Sequence, residues 1–394
     1  MGLHPLDVRP DRGEWFVGRQ GNDQIVAVPE IGLAALRLLT AGSTVEEARN
    51  TLRVTTGRDL DVGAFVEKLT DAGLVASIGD RRIEPTPQTV SLPRLRAGHV
   101  RWAMSPILHV LVLAVPVVAV LLVLREPAIL PSWDDLLWTE YGTFTLLAQA
   151  SVSVCLIALH EMTHLVTARA AGVPGRITLG TRLQFLVAQT EVSGIWLKSR
   201  RERLTVYLSG IALDAAIWGC CIVARFLGSD VALLPVIAMT LVAALAHQCF
   251  VFMRTDLYFV VQDLTGCRNL YADTGRYLRH LAARLRGRRG PNPLRSLRPA
   301  ERRFLQAYAL GTLAGTVICV FIGLRLLTEV TLPLITRSLE QIVRGADPWG
   351  RLDAVVTVLV LAGLQGTWVC LWWRRHAGRA RRAWHAGRRR FRTD

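Results

Sequence analysis

Six apolar runs, each close to the ~20 residues that an α-helix needs to cross a bilayer, constrain this 394-residue chain more than any other feature. They cover residues 102–124, 143–168, 204–227, 231–253, 306–327 and 352–373, with polar interruptions in the second and fourth. Hydrophobic residues make up 51% of the chain, yet its net charge is +16. An apolar chain with so many basic residues is expected to be a polytopic α-helical membrane protein of about six transmembrane helices. The first run begins some hundred residues in, which argues against a cleaved signal peptide.

The basic residues are unevenly placed. Arg101 precedes the first run, whereas the connection after it carries Glu126, Asp134, Asp135 and Glu140 against Arg125. The connection after the second run holds Arg176, Arg182, Lys198, Arg200, Arg201 and Arg203, and the one after the fourth is crowded from Arg268 to Arg303. The tail, "RRHAGRARRAWHAGRRRFRTD", is more basic still. The positive-inside rule then predicts a multi-pass protein of the cell membrane with both termini cytoplasmic. Arginines beside membrane helices hold topology and touch anionic membrane lipid, and nucleic acid is not the expected partner. The seven cysteines form no CxxC pair, so neither a disulfide framework nor a cysteine zinc site is expected.

The first 82 residues have a different composition. "EWFVG" and "QIVAV" read as short strands around the turn residues "RQGND". "PEIGLAALRLLTAG" opens with proline and closes with glycine, as helices tend to. "STVEEARNTL" carries a capping box of Ser43 with Glu46, and "DVGAFVEKLTDAGLV" predicts a third helix with Phe65, Leu69 and Leu74 on its apolar side. The pattern is that of a small α+β, winged-helix-like domain. Residues 1–80 hold eight basic against twelve acidic residues, a net charge of −4, which disfavours DNA binding.

"ALHEMTHLVTARAAG", residues 158–172, places ionisable groups at the end of an apolar run. His160 and His164 are four residues apart, so on a helix their imidazoles share a face and can converge on one ion, with Glu161 beside them. Ionised groups within a bilayer cost ~2.5–3.5 kcal/mol each on insertion scales, and a bound Zn2+ would offset that cost. Hydrolytic zinc needs a third protein ligand and an open position. "FMRTDLYFVVQDLTGCRNL", residues 252–270, offers Asp256 and Asp263, of which Asp256 is the expected ligand.

Two resemblances follow from these segments. "VAVPEIGLAALRLLTAGSTVEEARNTL" with "FVEKLTDAGLV" resembles the PqqD-like recognition element, a family that binds the leader of a ribosomally made precursor peptide by adding it as a strand. "HEMTHLVTARAAG", "RERLTVYLSGIALDAA" and "DLYFVVQDLTGCRNL" together resemble the site-2 protease family of intramembrane zinc metallopeptidases, in its putative peptide zinc metalloprotease branch. That resemblance spans roughly residues 143–282. It implies Zn2+ on His160, His164 and Asp256, with Glu161 as the catalytic base, and it matches Asp263, Gly266, Asn269 and Leu270. It departs at Leu257, where the family has glycine, at Gln248, where it has asparagine, and at Val251, where it has proline. "SGIALD" replaces Ala-Gly-Pro and puts Asp214 where the family has an asparagine.

Asp214, Asp263 and Gln248 are accordingly second-layer or substrate-binding candidates. For Asp214 three roles stand equal: orienting a zinc-bound histidine, binding substrate, or bonding to neighbouring helices. "RITLGTRLQFLVAQTEVSGIWL" has strand-like stretches, and the family's corresponding β-loop pairs with extended substrate.

The expected organisation is a peptide-binding domain (1–82), a linker (83–101), a metalloprotease core (102–282), an Arg-rich linker (283–305), an added helix pair (306–373) and a basic tail (374–394). The expected activity is zinc-dependent cleavage of a precursor peptide during its maturation, with the leader peptide and other maturation or export proteins as partners. The alternative is an inactive membrane-embedded binding or export partner that keeps the metal. A transporter fits less well, because "PILHVLVLAVPVVAVLLVL" and the last two runs are almost purely apolar.

Overall fold

The computed structural model describes residues 2–390 apart from 12, 20–24, 80, 84–89, 133, 138, 183–184, 268–269, 289, 296 and 346, with the backbone alone at 11, 81, 134, 137, 180–182, 185–187, 193, 368–369, 371–372 and 374–390. Asn269, most of the "RQGND" turn and the side chains of the basic tail therefore lie outside the described residues.

The N-terminal part is a small α+β unit. Its strands are β1 (Gly2–Leu3), β2 (Asp7–Asp11), β3 (Glu14–Gly18) and β4 (Ile25–Pro29). Helices α1 (Glu30–Thr40), α2 (Val45–Thr56) and α3 (Val62–Asp71) follow, then β5 (Val75–Ile78) and β6 (Arg81–Arg82). β2, β3 and β4 form an antiparallel meander, while β1, β5 and β6 form a second small sheet that the sequence did not predict. Strand alternation sends Val17 and Val28 into a core with Leu33, Leu36, Leu69 and Leu74. The opposite face carries the cross-strand row Arg9, Phe16 and Ala27.

The capping box of α2 lies one residue later than expected. Thr44, not Ser43, accepts from the Glu47 backbone N–H, and Glu47 returns the bond to the Thr44 N–H. Both pairs fit the S/T-x-x-E spacing, but Thr44 is the residue in extended backbone that the cap needs. Those bonds hold the Glu47 carboxyl below its ordinary value.

A short helix α4 (Ala97–Val100) leads into the apolar part. It contains α5 (Pro106–Arg125), α6 (Gly142–Ala170), a hairpin of β7 (Arg176–Arg182) and β8 (Phe185–Glu191), α7 (Arg200–Phe226) and α8 (Leu233–Gln248). Then come α9 (Asp256–Thr265), α10 (Leu270–Leu285), α11 (Pro299–Leu326), α12 (Leu332–Arg344) and α13 (Pro348–Arg390). Among the described residues four helices are long and apolar enough to cross a membrane: α5, α6, α7 and the continuous helix Pro299–Arg344.

That count differs from the six expected. The fourth run gives only the 16-residue α8, because the chain leaves the helix at Cys249 and turns through Arg254, whose φ of 59° is left-handed. The fifth run is a stretch of Pro299–Arg344, in which a π-helical turn, Leu327–Thr331, joins α11 to α12. The sixth falls in α13, where some side chains lie outside the described residues.

α7 is the central helix. Ala119 of α5 and Ile222 of α7 are buried against each other, and a Cβ on Gly219 would lie 3.1 Å from the Pro116 backbone, so glycine sets this close approach. The N-terminus of α6 is closed from far along the chain. Asp353 of α13 accepts from the Gly142 N–H at 2.8 Å and the Thr143 N–H at 3.1 Å, and the Thr143 hydroxyl donates to the Asp353 carbonyl. A helix start leaves four N–H groups without helical partners, and a carboxylate there also complements the helix dipole. Asp353→Ala should therefore destabilise the bundle by ~1–2 kcal/mol, with Asp353→Asn closer to wild type, measured as thermal unfolding in detergent.

Candidate metal centre

α6 places His160 and His164 one turn apart, as their spacing requires, and both are buried. α9 begins at Asp256, whose carboxylate Oδ2 stands 2.9 Å from His160 Nε2 and 3.2 Å from His164 Nε2. The two Nε2 atoms are 3.1 Å apart. His160, His164 and Asp256 could thus hold a metal ion.

The bonds on the far side of each ring give a reason for a cation. His164 Nδ1 lies 2.8 Å from the Val206 carbonyl, an acceptor only, so Nδ1 carries the proton and donates. His160 Nδ1 donates in the same way to Asp214 Oδ2 at 2.7 Å. In neutral rings both Nε2 atoms then present lone pairs toward the Asp256 carboxylate. Three electron-rich atoms in mutual contact repel unless a cation or proton stands among them. Tetrahedral ligands bound at ~2.0–2.1 Å are separated by ~3.3 Å, close to the edges found here.

Space is set by Gly210 of α7. A Cβ there would lie 2.5 Å from His160 Nε2 and 2.6 Å from His164 Nε2, so only glycine lets α7 lie against the histidine face. Gln248 holds the third group: its side-chain Nε2 donates to Asp256 Oδ2 at 3.1 Å and its side-chain Oε1, distinct from its main-chain carbonyl, accepts from the Asp256 N–H at 3.1 Å. Thr255 Oγ1 donates to the Gln248 carbonyl at 2.7 Å, bracing the same turn.

Glu161 lies beside the cluster, and its carboxylate accepts from the Thr190 hydroxyl of β8 at 2.7 Å. β7 and β8 pair antiparallel, Arg176 opposite Glu191 through Arg182 opposite Phe185. Arg176 donates to Glu191 at 2.7 Å across the open end, and this guanidinium holds the Glu191 carboxyl below its ordinary value. A depressed carboxyl contributes stability at pH above its ordinary value and loses it as pH falls, so the pair stays closed at neutral pH.

The structure brings together His160, His164, Asp256, Asp214 and Gln248, with Glu161 alongside. It does not bring Asp263 there. That carboxylate takes a bidentate pair of bonds from Arg203 at 2.6 and 2.7 Å, both groups buried, and ties α9 to α7. Asp263 is therefore a packing partner of Arg203 and not a neighbour of the His160–His164–Asp256 group. Of the three roles open for Asp214, the first has a geometric basis, since it bonds a histidine of the cluster. Gly266, matched in the sequence, ends α9 at a φ of 74°, and Leu270 is fully buried. Leu257 packs with the Ala168 and Val173 cluster.

Sequence reasoning missed Gly210, Thr190 and the Val206 carbonyl. "SGIALD" contained the glycine, but its role exists only once two helices meet. Comparison with protein-family models, curated proteins and solved structures finds no match.

Gly210→Ala should abolish stoichiometric metal binding while leaving far-UV circular dichroism unchanged. Asp214→Ala should weaken it by ~10–100-fold, measured by chelator competition on the purified protein.

Proposed function

We propose that this protein is a membrane-embedded zinc metallopeptidase that cleaves a ribosomally made precursor peptide. The carrying observation is the convergence of His160 Nε2, His164 Nε2 and Asp256 Oδ2 beside Glu161 and a strand edge. Two imidazoles and a carboxylate form a hydrolytic zinc set, and the fourth position is left for water. When bound, Zn2+ would lower the pKa of water toward ~7 and polarise a scissile carbonyl.

The chain's own residues do the rest. Asp214 and the Val206 carbonyl fix the tautomer of each histidine, and Gln248 orients Asp256. Glu161 takes the proton of the attacking water and delivers it to the leaving amine. β8 offers its outer edge to the substrate. Ile177 directs its N–H away from β8, to Ser91 Oγ at 3.0 Å, so the opposite residue Thr190 also turns its backbone groups outward. A peptide added at that edge would be extended, and extended chain exposes the bond to be cut. The N-terminal domain holds the leader, which raises the local concentration of the remainder.

A second reading, a binding or export partner that keeps the metal without hydrolysis, draws on the changes at Leu257, Gln248 and Val251. One experiment separates the two. Purified protein in detergent is incubated with the precursor peptide encoded nearest this gene. Cleavage is expected in the wild type, with none after chelation and none in Glu161→Gln, which should still bind zinc one to one. Cleavage that survives Glu161→Gln, or full zinc loading without cleavage, would refute hydrolysis at this site.

A further inference from the structure

The hairpin β7–β8 lies against the metal centre through Thr190, yet two strands alone are marginal in water and need packing from outside. Both of its roots are held by chain that precedes the first apolar helix. At the β7 root, Ser91 donates its N–H to the Gly175 carbonyl at 3.1 Å and accepts the Ile177 N–H on Oγ at 3.0 Å. At the β8 root lies the 3-10 turn Ser193–Leu197, against which the outer face of the N-terminal meander packs. Arg9 of β2 donates from one guanidinium nitrogen to the Trp196 carbonyl at 2.7 Å and the Lys198 carbonyl at 3.0 Å. Phe16, opposite Arg9 in the sheet, meets the Trp196 ring with centroids 6.0 Å apart.

We propose that Arg9, Phe16 and Ser91 are positioning residues: the N-terminal domain and its linker form the frame that sets β8 beside Glu161, in addition to receiving peptide. This deepens the peptidase reading and rests on it for its catalytic consequence. The physical basis is independent of that reading. A charged donor spends two hydrogens on carbonyls of a short turn, and loss of such a bond exposes both carbonyls. The same contacts place any peptide held by the N-terminal domain next to the hairpin that would receive its continuation. A domain merely tethered by residues 83–101 would make no such contacts.

Hydrogen–deuterium exchange on the full chain in detergent tests this without a substrate. In the double variant Arg9→Ala, Ser91→Ala, amides of β8 and of Ser193–Leu197 should exchange about tenfold faster. Exchange in α1–α3 and α7 should stay at wild-type rates, as should zinc content, and Arg9→Lys in place of Arg9→Ala should restore part of the protection. With the precursor peptide, kcat should fall in the double variant while leader binding is retained. Unchanged exchange in the hairpin, or loosening of α7 by the same factor, would overturn the proposal. Failure of the peptidase reading shows differently, as cleavage that survives Glu161→Gln, and leaves the exchange result standing.

Discussion

The close approach of α7 to α6 at Gly210 is the constraint on which the site depends. Without a side chain at that position, α7 lies near enough for its Val206 carbonyl and Asp214 carboxylate to reach the outer nitrogens of two histidines one turn apart. Those two bonds fix which nitrogen of each ring keeps a lone pair. Everything that makes the cluster a candidate ligand set then follows: Nε2 of both rings faces Asp256, and the electron-rich atoms sit ~3 Å apart, as ligands of one small cation would. A methyl group at 210 would remove the bonds and the space together.

What could be read from the chain depended on how local each feature is. The spacing of His160 and His164 speaks for itself, because a helix puts i and i+4 on one face whatever surrounds it. Strands β3 and β4 and the three helices of the N-terminal unit were legible for the same reason, but β2 was not read, α3 ends at Asp71, short of Leu74, and the α2 cap lies one residue later than expected, where Ser43 and Thr44 both satisfied the motif. Asp256, 96 residues from His160, was reached by position and by resemblance. Asp263 shows where that reasoning stops. It matched the same resemblance, but its partner Arg203 lies 60 residues earlier, and no spacing rule links them. Gly210 and Thr190 were invisible because their roles arise only from the meeting of two elements.

The fourth apolar run was misjudged in length for a physical reason. Hydropathy cannot tell a spanning helix from a shorter one followed by an apolar turn, and "CFVFMR" continues the apolar character after α8 has ended. Sixteen residues rise ~24 Å, less than the ~30 Å of a hydrocarbon core. The chain uses the saved length to turn back and aim Asp256 at the histidines.

Such a break among apolar helices is tolerated only where protein satisfies the freed backbone groups. Here Thr255 Oγ1 donates to the Gln248 carbonyl, the Gln248 side chain accepts the Asp256 N–H, and Tyr308 of α11 donates to the Val251 carbonyl at 3.1 Å. Phe252 packs so closely on Gly315 of α11 that no Cβ would fit there. The later helices, whose purpose the sequence left open, thus meet the site's two weakest points. α11 satisfies the turn that presents Asp256, and Asp353 of α13 closes the start of the helix that presents His160 and His164. Among the described residues neither touches the cluster itself. Their contribution is to let an irregular turn and a helix start with no cap of its own exist in an apolar bundle, and the geometry of the His–His–Asp group rests on both.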